Sequence, residues 1–244
     1  MKSDLAISRF PDQIDTRWLC QIVANEMNIS TSIVDYYARR ASEYERIFHK
    51  PERQADLQVL RNEVEGAFDG AHVFEVASGT GYWTEIVSRT AASVLATDIN
   101  EEVLAIARTK QYGCEVAFQN QDAYAPRMPS RRITAGFSAF WWSHIPKSRL
   151  RGFLTGFHAV LPPGATVVFM DNVYVAGSST PISRTDEFGD SFQTRRLDDG
   201  SEHEVLKNFP SESELRGAVA DIAAGVKIRF LKYYWVLSYR LPEG

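Results

Sequence analysis

Three acidic residues and two glycines are spaced to build a ligand site along one edge of a sheet. Glu75 lies in the apolar stretch Val73-Phe74-Glu75-Val76-Ala77, and Gly79 and Gly81 follow it. Asp98 stands 17 positions after Gly81, at the end of the apolar segment Ser93–Thr97. Asp122 comes just after a third such segment, Glu115–Asn120. Glycines in a strand-to-helix turn let backbone approach a ligand where a side chain would block it. A carboxylate closing the second strand can accept hydrogen bonds from both hydroxyls of a ribose. The implied chemistry is recognition of a nucleoside-like ligand. A dinucleotide fingerprint would place a third glycine at position 84, but Thr84 stands there, after the bulky Tyr82 and Trp83. That weakens a pyrophosphate-binding reading and, with it, a nicotinamide-dependent oxidoreductase.

Three further groups carry chemistry. Phe140-Trp141-Trp142-Ser143-His144-Ile145 follows a fourth apolar segment. Aromatic faces there suit a cation or a flat acceptor, although either tryptophan could equally be core. His144 can serve as a general base or can hold the start of a helix. Tyr36, Tyr37, Arg40 and Tyr44 sit on one expected helix, with Tyr37 and Tyr44 sharing a face seven positions apart. Arg184, Arg195, Arg196, His203 and Lys207 lie in a polar stretch, 173–210, and could select a carboxylate or phosphate. Asp198, Asp199, Glu202 and Glu204 in the same stretch offset them, as on a solvated hairpin face.

The elements that must position these groups alternate. Strands are expected at His72–Ala77, Ser93–Thr97, Glu115–Asn120, Ile133–Ala139 and Ala165–Met170. Helices are expected between them at 82–90, 101–110 and 147–160, which implies parallel β-α units with right-handed crossovers. Ligands in such sheets bind at the carboxyl ends of the strands. Asp199-Gly200 predicts a hairpin between Ser191–Leu197 and Glu202–Phe209. Ser211-x-x-Glu214 predicts a capping box and a helix reaching Ala223. Val226–Tyr234 and Trp235–Leu241 read as two final strands. Before the alternating region, 31–66 reads as two helices, the second starting near Pro51, and Asp12–Met27 as an amphipathic helix for packing or dimerisation.

The pattern Glu75-x-Ala77-x-Gly79-x-Gly81 resembles the first motif of class I S-adenosylmethionine (SAM)-dependent methyltransferases. Gln121-Asp122-Ala123 resembles the third motif of that family, and Phe140 to Ile145 the fourth. The wider pattern is similar to bacterial small-molecule methyltransferases of the ubiquinone/menaquinone-methylase-like group. It runs from Tyr36-Tyr37-Ala38-Arg39-Arg40-Ala41 through the glycine loop to Leu161-Pro162-Pro163-Gly164. The resemblance implies a Rossmann-like α/β fold with a seven-stranded, mainly parallel sheet of order 3-2-1-4-5-7-6. It implies an N-terminal helical cap (1–66), a methyltransferase domain (67–244) and a lid-like insert at 173–210. By the same resemblance SAM would be bound by Glu75, Ala77, Gly79, Gly81, Asp98, Ile99, Asp122, Ala123 and Phe140, with Tyr37 and Arg40 from the cap. Trp141, Trp142 and His144 would face the methyl acceptor. The acceptor would be a small molecule, aromatic or anionic, and no metal is implied. A non-catalytic SAM-binding or partner-binding domain would keep the cofactor residues without an acceptor site.

Composition restricts the rest. The chain has 244 residues, enough for one domain with additions, and is 44% hydrophobic and 24% charged, as soluble globular proteins are. A net charge of −4 argues against a general nucleic-acid footprint. Cys20 and Cys114 are too few for a disulfide framework, so a reduced cytoplasmic setting is expected. No signal peptide or membrane-spanning run is expected. A homodimer through the N-terminal extension is the expected assembly.

Overall fold

The computed structural model describes residues 32–243. The expected helix at Asp12–Met27 and dimerisation through it lie outside that range.

A seven-stranded sheet forms the centre, with the order β3-β2-β1-β4-β5-β10-β9. Its members are β1 (His72–Val76), β2 (Ser93–Asp98), β3 (Glu115–Asn120), β4 (Ala135–Ala139), β5 (Thr166–Asn172), β9 (Ala224–Phe230) and β10 (Tyr234–Arg240). The first five are parallel, and β10 runs antiparallel between β5 and β9. This is the expected order, because β9 and β10 are its sixth and seventh strands. β2 is buried along its whole length, as a strand covered on both faces must be. The edge strands β3 and β9 carry most of the exposed positions.

Two apolar layers sandwich the sheet. On one side α2 (Gln54–Ala67) sets Leu57, Leu60 and Val64 at helical spacing against Trp83, Ile86 and Val87 of α3 (Tyr82–Val87). On the other, α5 (Lys147–Ala159) and α6 (Glu212–Val219) contribute Phe153, Leu154, Phe157, Leu215 and Val219. The helix α4 (Glu101–Ala107) links β2 to β3. The capping box is formed: Ser211 N–H donates to Glu214 Oε2 at 2.8 Å and Glu214 N–H donates to Ser211 Oγ at 3.3 Å. α6 stops at Val219, short of the expected end, because β9 begins at Ala224.

The insert is a three-stranded sheet of β6 (Arg184–Thr185), β7 (Ser191–Arg196) and β8 (Glu202–Leu206). Gly200 makes the hairpin turn at φ 85°. The helix α1 (residues 32–40) packs on this insert, Ile33 against Phe192 and Leu206, and Tyr36 against Leu197 and Val205. α1 does not continue to Tyr44, as the sequence suggested. It ends at Arg40, and Tyr44–His49 is a separate 3-10 turn. The insert is stitched to the loop after β4: Asn208 N–H donates to the Ser143 carbonyl at 2.8 Å, and Asn208 Nδ2 donates to Ile145 O and Asp190 Oδ1. Cap and insert therefore form one roof across the carboxyl ends of the strands. Among the described residues no helix is long and apolar enough to cross a membrane.

Candidate active site

The loop after β1 is wound tightly enough to need left-handed backbone. Gly79 and Gly81 have φ 57° and 79°, and Ser78 O accepts the Gly81 N–H at 3.1 Å. Ala77 (φ 54°) and Phe140 (φ 60°), at the ends of β1 and β4, share this conformation although neither is glycine. Each such residue costs on the order of 1–3 kcal/mol and persists where the surroundings demand it. Both line the same cavity.

That cavity is about 360 Å³ and lies at the carboxyl ends of β1, β2, β3 and β4. Asp98 organises one wall. Its Oδ2 accepts the Gly79 N–H and its Oδ1 the Asn100 N–H, both at 2.9 Å. Burial raises its pKa. Ile99, exposed Asp122 and buried Ala123 continue the wall, and Tyr37, Phe140 and Trp141 face them. Below the loop, Glu75 is buried with Thr84 Oγ1 donating to its Oε2 at 2.7 Å.

A second cavity of about 330 Å³ lies beneath the roof. It shares Tyr37, Tyr44, Phe140 and His144 with the first, so these four side chains form a common wall. The rest of its lining is mainly cationic, with Arg40, Lys50, Arg53, Arg195, Arg196 and Lys207 beside one carboxylate, Glu43. Arg40 lies over the rings of Tyr36 and Tyr44, and Arg195 over Tyr36 with its guanidinium bonded to Gln193. Among the described residues neither is paired with a carboxylate. Lys207 is buried; its Nζ donates to Ser143 Oγ at 2.6 Å and Asp171 Oδ1 at 2.9 Å. Burial, against the pull of Asp171, lowers Lys207 to about 8.

His144 sits in the common wall in a fixed tautomer. Its Nδ1 lies 2.6 Å from the Leu206 carbonyl, which can only accept, so Nδ1 carries the hydrogen. Burial, with Lys207 and Arg195 adding to it, holds the ring well below its ordinary pKa. In the neutral ring Nε2 is the acceptor, and the Tyr37 hydroxyl donates to it at 2.7 Å.

Residues 73–164 match a family model described as a methyltransferase domain. The chain is similar to the solved DhpI–SAH complex at 29% identity, over 88% of this chain and 97% of that one, with TM-score 0.71. The DhpI–SAM–HEP complex gives 28% identity, coverage of 87% and 97%, and TM-score 0.72. The chain is a SAM-dependent methyltransferase with a Rossmann-like fold. The PH0226 protein from Pyrococcus horikoshii OT3 shares the fold, with TM-score 0.64 at 14% identity over 82% of this chain and 98% of that one. No curated protein sequence matches.

The methyltransferase's cofactor is SAM, and a recess adjoining the first cavity has a donor set that suits it. Among the described residues Glu75 Oε1, Ser78 Oγ and Trp83 Nε1 are buried without a hydrogen-bond partner. All three residues line one small recess beside Gly79 and Thr80. A group bearing both an ammonium and a carboxylate would satisfy atoms of exactly these opposite kinds. A Cβ built on Gly79 meets nothing within 4 Å, so the glycine opens onto ligand space.

Three residues expected in the cofactor or acceptor site lie elsewhere in the methyltransferase. Trp142 is core: its ring packs edge-on to Phe169 and Trp235 at 5.1 and 5.8 Å, and it lines neither cavity. Only Trp141 of the pair faces the cavity, because the 3-10 turn at Trp142–His144 sends the neighbours in different directions. Gly81 is turned to α4, where a Cβ would stand 2.5 Å from the Tyr112 hydroxyl and 3.0 Å from Ala107 Cβ. Arg40 belongs to the second cavity instead of the first. Asp171 was not read from sequence as a site residue. Trp142→Ala is expected to lower stability by about 3–5 kcal/mol, as large core truncations do. Trp141→Ala should cost less than half as much, measured by urea unfolding of both variants.

Proposed function

We propose that this methyltransferase transfers the SAM methyl group to a small anionic molecule held in the second cavity. The observation that carries this reading is the wall shared by the two cavities, with cofactor-type residues on one side and, on the other, Arg40 and Arg195, which have no carboxylate partner among the described residues. Bound SAM supplies an electrophilic methyl group on a sulfonium. On this reading Asp98 accepts the ribose hydroxyls, Asp122 and Ala123 meet the adenine, and Ile99 covers it. Glu75, Ala77 and Gly79 lie against the amino-acid end, with Trp141 and Phe140 lining the path to the sulfonium. Residues of the cap line both cavities, and residues of the insert line the second.

Arg40, Arg195 and Lys207 neutralise the acceptor and orient it. Burying guanidinium groups without an anion is costly, which makes an anionic ligand the natural complement. A neutral quinone, the acceptor that the ubiquinone/menaquinone-methylase resemblance suggests, would leave them unpaired. An anionic oxygen is already deprotonated, so no general base is required. His144 then acts by holding Tyr37, and positioning supplies most of the rate, of order 7–11 kcal/mol in favourable geometries.

The test is a mass-spectrometric screen of small carboxylates, phosphates, phosphonates and neutral isosteres with SAM. Methylation confined to neutral compounds would remove the anionic assignment. Asp98→Ala should weaken SAM binding by about 1–3 kcal/mol, the range for a lost charged hydrogen bond; calorimetry on the folded variant checks it. The pH dependence follows from two ionisable groups that line the second cavity. His144, held well below its ordinary pKa by burial, is neutral at neutral pH and contributes no inflection above it. Lys207 loses its charge as pH rises through about 8. Acceptor KM should therefore climb above that pH, with kcat changing less; a KM that is flat to pH 9 would separate Lys207 from acceptor binding.

A further inference from the structure

Among the described residues Glu75 is a buried acid with no cation beside it. One oxygen accepts the Thr84 hydroxyl and the other has no partner. From β2 it faces Asp98, a second acid. From the segment between α4 and β3 it faces Tyr112, whose phenol the Glu75 charge helps to raise. Tyr44 of the cap and Tyr82 and Trp83 of α3 close the recess around it. Lys110 reaches this region but is ion-paired with Glu45, which also accepts the Thr80 hydroxyl at 2.6 Å. Burial, opposed by the Thr84 bond and reinforced by Asp98, pushes Glu75 up to about 8.

We infer that the cofactor-free enzyme holds Glu75 as a neutral acid and that the α-ammonium of the incoming cofactor displaces its proton. Cofactor binding is thereby coupled to proton release. This rests on the placement of the amino-acid end at the glycine loop proposed above. The step balances without any redox partner. The carboxylic acid and the ammonium become a carboxylate–ammonium pair, and one proton passes to solvent. The geometry favours this pairing because the unpartnered Oε1 shares its recess with Ser78 Oγ and Trp83 Nε1, beside Gly79. The sign follows directly. Below the folded-state pKa the proton must leave for binding to proceed, so affinity rises with pH and levels off once Glu75 is already ionised.

The experiment compares S-adenosylhomocysteine with 5′-methylthioadenosine, which lacks the amino-acid end. Calorimetry at pH 7 in buffers of different ionisation enthalpy counts the protons released. S-adenosylhomocysteine should release about 0.9 proton and bind about tenfold more weakly at pH 6 than at pH 7. Methylthioadenosine should release none, and its affinity should be level from pH 6 to 8. Glu75→Gln should bind S-adenosylhomocysteine with no release. If that variant does not fold, the two ligands on the wild-type enzyme decide alone. Equal heats for S-adenosylhomocysteine in all buffers would overturn the inference. Equal release by both ligands would overturn it as well, by assigning the proton to another group such as Asp98. If neither ligand binds, the proposed cofactor placement fails, and this inference with it.

Discussion

Gly79→Val is expected to weaken SAM binding at least 100-fold, about 2.7 kcal/mol or more, in a protein that still folds. Two independent effects act at this position. The residue has φ 57°, a conformation that a β-branched side chain strongly resists. Its Cβ direction is also open, with nothing within 4 Å, and Gly79 borders both the main cavity and the recess under it. A valine would therefore project into the volume that the cofactor needs, and no protein atom would have to move for it to do so. The substitution would also disturb the Gly79 N–H bond to Asp98, the residue proposed for the ribose. Gly81→Ala makes an informative contrast. There the new methyl group would meet the Tyr112 hydroxyl and Ala107, so its effect should appear in thermal stability before it appears in ligand affinity. Calorimetry and thermal unfolding of the two variants separate the cases. Normal SAM affinity in folded Gly79→Val would place the cofactor elsewhere.

The glycine loop was readable because its demands are local. Left-handed backbone selects glycine, and acids spaced one β-α unit apart fall at successive strand ends in any parallel sheet. The alternation implied parallel β-α units, and the strand order came from the methyltransferase resemblance. What the chain did not disclose depends on tertiary direction. Trp141 and Trp142 are neighbours of one type, and only the turn into Ser143 decides which meets the cavity and which meets Trp235. Lys207 reads as one more cation on a polar hairpin. Its burial depends on Asp171, 36 positions earlier at the end of β5, and on Ser143. Arg40 sits one turn from Tyr36 on a helix whose packing partner is the insert, a contact that no local pattern encodes. Ala77 and Phe140 carry positive φ with nothing in their side chains to announce it.

Replacing Arg40 and Arg195 together by methionine is expected to lower kcat/KM for the acceptor by about 10²–10⁴. The range is that of two hydrogen bonds to charged groups, each about 1.5–3 kcal/mol. Methionine keeps much of the apolar stem that lies along Tyr36 and Tyr44, so packing changes little while the charge is removed. Because the guanidinium groups have no carboxylate partners among the described residues, their loss leaves no buried anion behind. Lys207 is the poorer probe for that reason. Its removal would leave Asp171, fully buried, without its ion-pair partner, at a cost of about 3–5 kcal/mol in stability. The double variant should bind S-adenosylhomocysteine within about threefold of wild type, because neither arginine lines the first cavity. Loss of acceptor turnover with cofactor affinity retained would assign the cations to the acceptor. Equal losses for both ligands would instead show that the roof, carried by α1 and the insert, had shifted as a unit. Unchanged turnover would leave the second cavity without a role in the reaction.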